Sequence, residues 1–279
     1  AMRPNLMQIF QEGSRGSTAS RGTRRLSDLM VIAEVALALM LLVSAGLLIR
    51  SFIRLTSIDP GYRTTGIVAM HIVLPARYAG PVPKRQFFSD LVDRVTRLPG
   101  VERATAVSAL PMSPLGVQFD LPFTVDGLAA TAPADRPRAR YRAVMPDYFQ
   151  TMGIELKKGR VFDEFDGREG GPKAAIVNES VVRRYFGALD PIGKLVRMPT
   201  AGDLHIVGVV ADIRHDGLSA SAEAEVFVPY SQFPLSQMQV VVSTALDGGT
   251  IARAVKAQVT AIDPSLPVAK VAAIEDLVS

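Results

Sequence analysis

The longest uninterrupted apolar pattern lies near the start of the chain, where Leu29–Ile49 reads LMVIAEVALALMLLVSAGLLI, 21 residues with one charge, Glu34. At 1.5 Å rise per residue this run is about 30 Å long, one hydrocarbon thickness, so residues 28–51 are predicted to form a transmembrane helix. A cleaved secretory leader has a shorter apolar stretch, about 7–15 residues, ending at a small-residue cleavage site. Here the run ends in Arg50, Ser51, Phe52, Ile53 and Arg54, an interfacial anchor and a stiff continuation of the helix. Glu34 falls in the second turn, within reach of headgroup water or a partner helix. Ser44, Ala45 and Gly46 form a small-residue patch that permits close helix approach.

The flanks carry no such pattern. Residues 11–25 (QEGSRGSTASRGTRR) are rich in Gly, Ser and Arg, and 1–27 is predicted to be a flexible lead. After the span, 52–65 reads as a stalk closed by the turn signal Asp59-Pro60-Gly61-Tyr62.

From residue 66 the period changes. Gly66–Leu74 is β-rich; Lys84–Leu98 places Phe87, Phe88, Leu91, Val92, Val95 and Leu98 at helical spacing; Val101–Ala109 returns to strand character. The same order recurs late: Met238–Thr244 as strand, Thr250–Ile262 as helix, Pro267–Val271 as strand, and a helix from Ile274 onward. Two β-α-β halves this far apart predict an α+β fold, a split ferredoxin-like domain over 66–111 and 236–279 with an insertion over 112–235. The insertion is mixed α/β, with strands near Phe119–Val125, Ala139–Val144, Lys194–Met198, Leu204–Ala211 and Glu225–Pro229. Between them lies a helix at Asn178–Phe186, N-capped by Asn178.

Composition agrees with one span plus a globular body. The 48% hydrophobic share and mean hydropathy of +0.22 are high for a purely soluble protein, while 21% charged residues exclude a polytopic bundle. The formal charge of +4 owes much to Arg15, Arg21, Arg24 and Arg25 ahead of the span, which favours a cytoplasmic N-terminus and an extracytoplasmic main domain. With 6% aromatics, no Trp and no basic run interleaved with aromatics, nucleic acid is not an expected partner. The absence of Cys removes disulfides, thiol nucleophiles and Cys-ligated metals together.

No catalytic constellation emerges. His71, His205 and His215 are widely spaced, in or beside predicted strands, and form no ligand cluster. Gly187–Leu195 (GALDPIGKL) superficially resembles a phosphate loop, but five residues separate its glycines instead of four, Leu195 stands where Ser or Thr would hold magnesium, and it follows a helix. Asp163, Glu164, Asp166 and Glu169 lack calcium-loop spacing, and Gly167 and Arg168 interrupt them, so they read as a solvated loop. No G-x-S-x-G elbow occurs. Catalytic, cofactor-binding and metal-ligating residues are therefore all expected to be none.

Particular strings then carry a resemblance: EVALALMLLVSAGLLIRS within Leu29–Ser51, Asp59–Tyr62 (DPGY), Val144–Gly153 (VMPDYFQTMG), Gly159-Arg160 and Ala175–Phe186 (AIVNESVVRRYF). Further on come Asp190–Lys194 (DPIGK), Ile206–Arg214 (IVGVVADIR), Val228–Tyr230 (VPY) and Asp263–Pro267 (DPSLP). In order and spacing, from about Gly13 to Leu277, the chain resembles the MacB-like periplasmic core region of FtsX-type ABC-transporter permeases, especially the duplicated permeases of acidobacteria. The resemblance implies a porter domain with an inserted Sabre-like part between a first helix and three later ones, so the chain is expected to be a fragment.

What the resemblance implies about function is a permease that does no bond chemistry and couples cytoplasmic ATP hydrolysis to extracytoplasmic export by mechanotransmission. Its implied partners are an ABC ATPase subunit or domain, a second permease half or homodimer partner, a periplasmic adaptor and the lipid bilayer of the bacterial inner membrane. The alternative on the same architecture is an FtsX- or lipoprotein-release-type scaffold that regulates or hands cargo to a periplasmic partner. A third class is an anchored enzyme or sensor with an unrecognised site, from which further helices and a neighbouring ATPase would distinguish a permease.

Overall fold

Apolar length alone produces the first element, a single helix α1 (Arg21–Thr56) of 36 residues. Its segment Asp28–Ser51 is long and apolar enough to cross a membrane, with mean hydropathy 2.5, and none of it is buried by the rest of the protein. The helix starts before the predicted lead has ended and runs into the predicted stalk, because neither Arg21–Ser27 nor Phe52–Thr56 contains a proline to stop it. The computed structural model describes residues 21–56, 59–126, 136–163, 165–168, 170–199, 201–215, 217, 220–267 and 269–274. The predictions for residues 1–20, for Glu164 and Glu169, and for a helix continuing over 275–279 lie outside them.

The remainder, from Ile58, is a separate compact unit. It begins with the two β-α-β halves. β1 (Ile67–Val73), α2 (Pro81–Thr96) and β2 (Val101–Val107) form the first, and β11 (Gln237–Thr244), α5 (Gly248–Ile262) and β12 (Ala269–Ala273) the second. Their strands order as β12-β1-β11-β2, each pair antiparallel, which is the ferredoxin-like arrangement predicted from the spacing. Alternation sets the faces: Val68, Met70 and Ile72 of β1 and Val240 and Val242 of β11 pack under α2 and α5, joining Phe87, Phe88, Leu91, Ile251, Val255 and Val259. α2 opens with Pro81 in its first turn, and α5 is capped by Asp247, whose Oδ1 accepts from Thr250 N at 2.9 Å.

The insertion supplies β3 (Phe119–Pro122), β4 (Thr124–Val125), β5 (Arg138–Val144), α3 (Tyr148–Met152), β6 (Leu156–Gly159), β7 (Ala174–Asn178), α4 (Glu179–Val181), β8 (Leu195–Met198), β9 (Gly202–Val210) and β10 (Glu225–Pro229). Its strands run β5-β10-β7-β9-β8-β4, with β3 also on β5 and β6 also on β9. The predicted strand 119–125 is broken in two because β3 pairs with β5 and β4 with β8. The predicted helix 178–186 is one α turn followed by a π turn, Val182–Phe186, which Gly187 N closes onto Val182 O at 3.0 Å. Asn178 caps it as expected, and its buried Oδ1 also accepts from Glu225 N at 3.0 Å.

The two halves join edge to edge into one twelve-stranded sheet. The seam is short: Val107 of β2 pairs with Val144 of β5, flanked by Ser108 N to Ala143 O at 2.9 Å and Met145 N to Ala106 O at 2.8 Å. Packing makes up for it on both faces. On one, Phe88 of α2 meets Tyr230 beyond β10 edge to face at 5.6 Å. On the other, Ile67, Ala69, Val107 and Val241 share a core with Val144, Tyr148, Phe149, Met152 and Phe227, so α3 covers the face of the ferredoxin-like strands that α2 and α5 leave open. Phe88→Ala empties a fully buried site that bridges both halves and is expected to destabilise the unit by about 3–5 kcal/mol, read by chemical denaturation of the detergent-solubilised protein.

Candidate functional site

Beside the seam lies a group of charges shut away from solvent. The Arg142 side chain, on β5, is 1% exposed and the Glu225 side chain, at the start of β10, is 0% exposed. β5 and β10 run parallel with Glu225 opposite Arg140 and Phe227 opposite Arg142, so the two charges sit diagonally across adjacent strands. Arg142 Nε donates to Glu225 Oε1 at 2.6 Å, Nη1 donates to the carbonyl of Ala109, and Nη2 lies 3.0 Å from His215 Nδ1. A guanidinium only donates, so Nδ1 accepts and the His215 proton resides on Nε2, which lies 2.7 Å from Glu225 Oε1.

Electrostatics follow from that arrangement. Burial pushes the His215 pKa below its ordinary 6.5; Glu225 pulls it up and the Arg142 cation pushes it further down, and the ring stays neutral. Burial alone would raise Glu225, but His215 and Arg142 hold it down to about 2, so it is ionised. The result is a buried ion pair with a neutral histidine as third member, built from three separate stretches of chain. A fourth joins through the backbone, since Met112 N donates to His215 O at 3.1 Å with Met112 at a positive φ of 54°. From β11, Gln239 Nε2 donates to Ser113 Oγ at 3.2 Å, holding the same connector to the ferredoxin-like half.

The other residues singled out in the sequence are not brought together. His71 is half-buried on β1, opposite Gln239 on β11, and His205 faces Leu195 across β8 and β9. In Gly187–Leu195 the amides of Gly187, Leu189, Ile192, Gly193 and Lys194 already donate within the turn or to β9, so they form no phosphate cradle. A neighbouring groove of about 330 Å³, lined by Lys157, Lys158, Arg183 and Leu189, has its cations paired: Lys157 with Glu155, Lys158 with Asp190 and Arg183 with Asp212. Asp166 is held by Arg160 and by Asp163 N, which closes the acidic stretch as a turn. Among the described residues no group of three or more His, Asp or Glu side chains is placed to hold a metal ion.

Sequence reasoning places His215 in or beside a strand and gives no sign of its partners, because Arg142, which joins the cluster together, lies 73 residues from His215 and 83 from Glu225. The available signal is a charge inside an apolar strand, Glu225 in EVFVP and Arg142 in RARYRAV.

Comparison with known proteins bears on the family and the fold. Residues 30–262 match the family model described as the MacB-like periplasmic core domain. The macrolide export ATP-binding/permease protein MacB 2 of Aeromonas hydrophila is 28% identical over 139 residues, covering 47% of this chain. The chain spans 21% of that relative's length. The periplasmic region of MacB from Actinobacillus actinomycetemcomitans superposes with a TM-score of 0.52 at 14% identity, covering 77% of this chain and 91% of that one, a likeness of fold. The extracellular domain of the noncanonic ABC-type transporter YknZ from Gram-positive bacteria matches with a TM-score of 0.47 at 14% identity, over 73% of this chain and all of that one.

Two outcomes test the buried cluster. Arg142→Met strands the Glu225 carboxylate and is expected to cost about 3–5 kcal/mol, with Arg142→Met/Glu225→Leu regaining most of it, in denaturation of the detergent-solubilised protein. Because the fold holds His215 below its ordinary pKa, its contribution is fully present above pH 6.5 and is lost as pH falls from there. Stability should therefore decline below pH 6.5 by up to about 1.4 kcal/mol per unit for this group, and His215→Gln should remove that part of the slope while His71, also lowered by burial, keeps its own.

Proposed function

The chain belongs to the MacB-like periplasmic core domain family, and we propose that it is the permease part of a MacB-like ABC transporter whose extracytoplasmic domain carries motion outward by mechanotransmission. The family match carries the reading, because it spans both the apolar helix α1 and the domain that follows it. In this reading α1 lies in the bacterial inner membrane with the N-terminus cytoplasmic, as the arginines ahead of it favour. ATP hydrolysis belongs to a separate ABC ATPase subunit or domain, and the chain itself breaks no bonds. A second permease half or a second copy completes the membrane part. Glu34 and the Ser44–Gly46 patch are suited to helix contacts in the bilayer.

The physical support is stiffness. α1 runs unbroken to Thr56, and the domain has one sheet and cores that cross its seam on both faces, so there is little slack inside either body to absorb displacement. The relative's name points to macrolides as export substrates, and erythromycin is the first probe to try.

These 279 residues hold no Cys, so once any Cys elsewhere in the complete permease and its ATPase is replaced, one introduced at exposed Ala188 takes a single fluorophore. With the complete permease and its ATPase in phosphatidylethanolamine–phosphatidylglycerol vesicles, ATP with vanadate is expected to change energy transfer to a lipid-borne dye. Inserting flexible Gly residues between Ser57 and Ile58 should abolish that change and erythromycin export while ATP turnover continues. An unaltered signal and unaltered export in the insertion variant would sink the reading.

A further inference from the structure

The turn Asp59-Pro60-Gly61-Tyr62 is held against the insertion. Asp59 Oδ1 accepts from Gly61 N at 2.8 Å and shapes the turn. Pro60 O then accepts from Arg214 N at 3.0 Å, and Arg63 N donates to Met152 O at 2.6 Å. Gly61 has φ +84°, and a Cβ there would stand 2.3 Å from Asp212 O, so the backbone is pressed against residues 212–213 more closely than any side chain allows. The backbone contacts of Pro60, Gly61 and Arg63 are thus all to the insertion. Tyr62 is 6% exposed, in the core that holds Met152, Ile154 and Ile213 of the insertion together with Ile67, Ala69 and Val107 of the ferredoxin-like half. The ferredoxin-like half also meets the turn through the partly exposed side chain of Arg63, with Ser243 Oγ at 3.4 Å and Glu102 Oε2 at 3.7 Å.

The receiving segment is itself tied down. Asp212 accepts from Ser180 N at 2.8 Å and from Ser180 Oγ at 3.0 Å, and pairs with Arg183. Three residues on, His215 joins Arg142 and Glu225. The chain thus docks on the insertion over 59–63 before it enters β1 of the ferredoxin-like half at Ile67. Between the two lies the short stretch Thr64–Gly66, half-buried to exposed, where Gly66 O accepts from Thr244 N at 2.9 Å.

We propose that Pro60–Arg63 is a staple through which displacement of the membrane helix enters the domain by way of the insertion, at Asp212–His215 and α3, and not by way of the covalently adjacent strand β1. This rests on the mechanical reading above. Gly61, Tyr62 and Arg63 are positioning residues whose task is to make the chain leaving the membrane rigid with the insertion.

The test compares two sites of Gly insertion in the complete permease with its ATPase in the same vesicles. Fluorophores sit on a cysteine introduced at Ala188 in the insertion or, in a second preparation, at Asp93 on α2. Insertion upstream of the staple, between Ser57 and Ile58, should abolish the ATP-vanadate change at both labels. Insertion downstream, between Thr64 and Thr65, should leave both changes at full size. Gly61→Ala, which forces residues 212–213 away, should abolish both while ATP turnover continues. Loss of the change on downstream insertion, with an unshifted melting transition, overturns the staple and assigns the path to β1 while leaving the mechanical reading intact. Persistence of the change on upstream insertion overturns the mechanical reading, and the staple with it. Where Gly61→Ala lowers the melting transition, the insertion pair alone decides.

Discussion

Arg142 and Glu225 are opposite charges held where no water reaches them, and the neighbourhood of the seam is organised by the need to satisfy both. Removing such ions from water costs several kcal/mol each unless every donor and acceptor is met with good geometry. The guanidinium draws one partner from β10, one carbonyl from the connector at Ala109 and one ring nitrogen from the segment after β9, while Glu225 Oε2 is left without a hydrogen-bond partner. The resulting register places Glu225 diagonal to Arg142 with His215 within reach of both, and Met112, at a positive φ, donates to the His215 carbonyl.

That register matters because the sheet is otherwise thin at this point. β1 and β11 pair along the whole of β1, whereas β2 and β5 meet at one residue pair and two flanking hydrogen bonds. What turns two sheets into one body is the layer above and below them. α2 and α5 cover one face, with Phe88 reaching Tyr230 across the seam, and α3 covers the other with Tyr148, Phe149 and Met152. A ferredoxin-like sheet with helices on one face has a second face to bury, and here the insertion buries it. The fold also gives the incoming chain at Pro60–Arg63 a surface of the insertion to rest on.

The elements legible in the sequence are those whose pattern is local. The period of α2, the cap at Asn178, the β-rich runs of β1 and β10 and the β-α-β repeat all depend on neighbours within a few residues, and they fold as read. The parts not legible are of two kinds. β7 (AAIVN) is five fully buried residues with no alternation, and runs directly into the helix its last residue caps, so no period separates the two. α3 and β6 are too short for a period to show, and the break in 119–125 comes from two strands competing for the same segment. At the seam the sequence offers Arg142, His215 and Glu225 as three unrelated polar residues.

By itself the sequence determined that a 21-residue apolar run demands a membrane or a core, that the globular part is α+β with split halves, and that neither cysteine nor a ligand-spaced histidine set is present to support chemistry of those kinds. These follow from hydrophobicity, period and residue inventory, which act over short range. The tertiary structure decided that both halves share one sheet, that a buried ion pair and histidine meet beside the junction, and that the turn after the membrane helix rests on the insertion. Arg142 alone reaches partners 73 and 83 positions away. Such contacts exist because buried charges and open sheet faces must find partners, and only the folded chain reveals which partners are within reach.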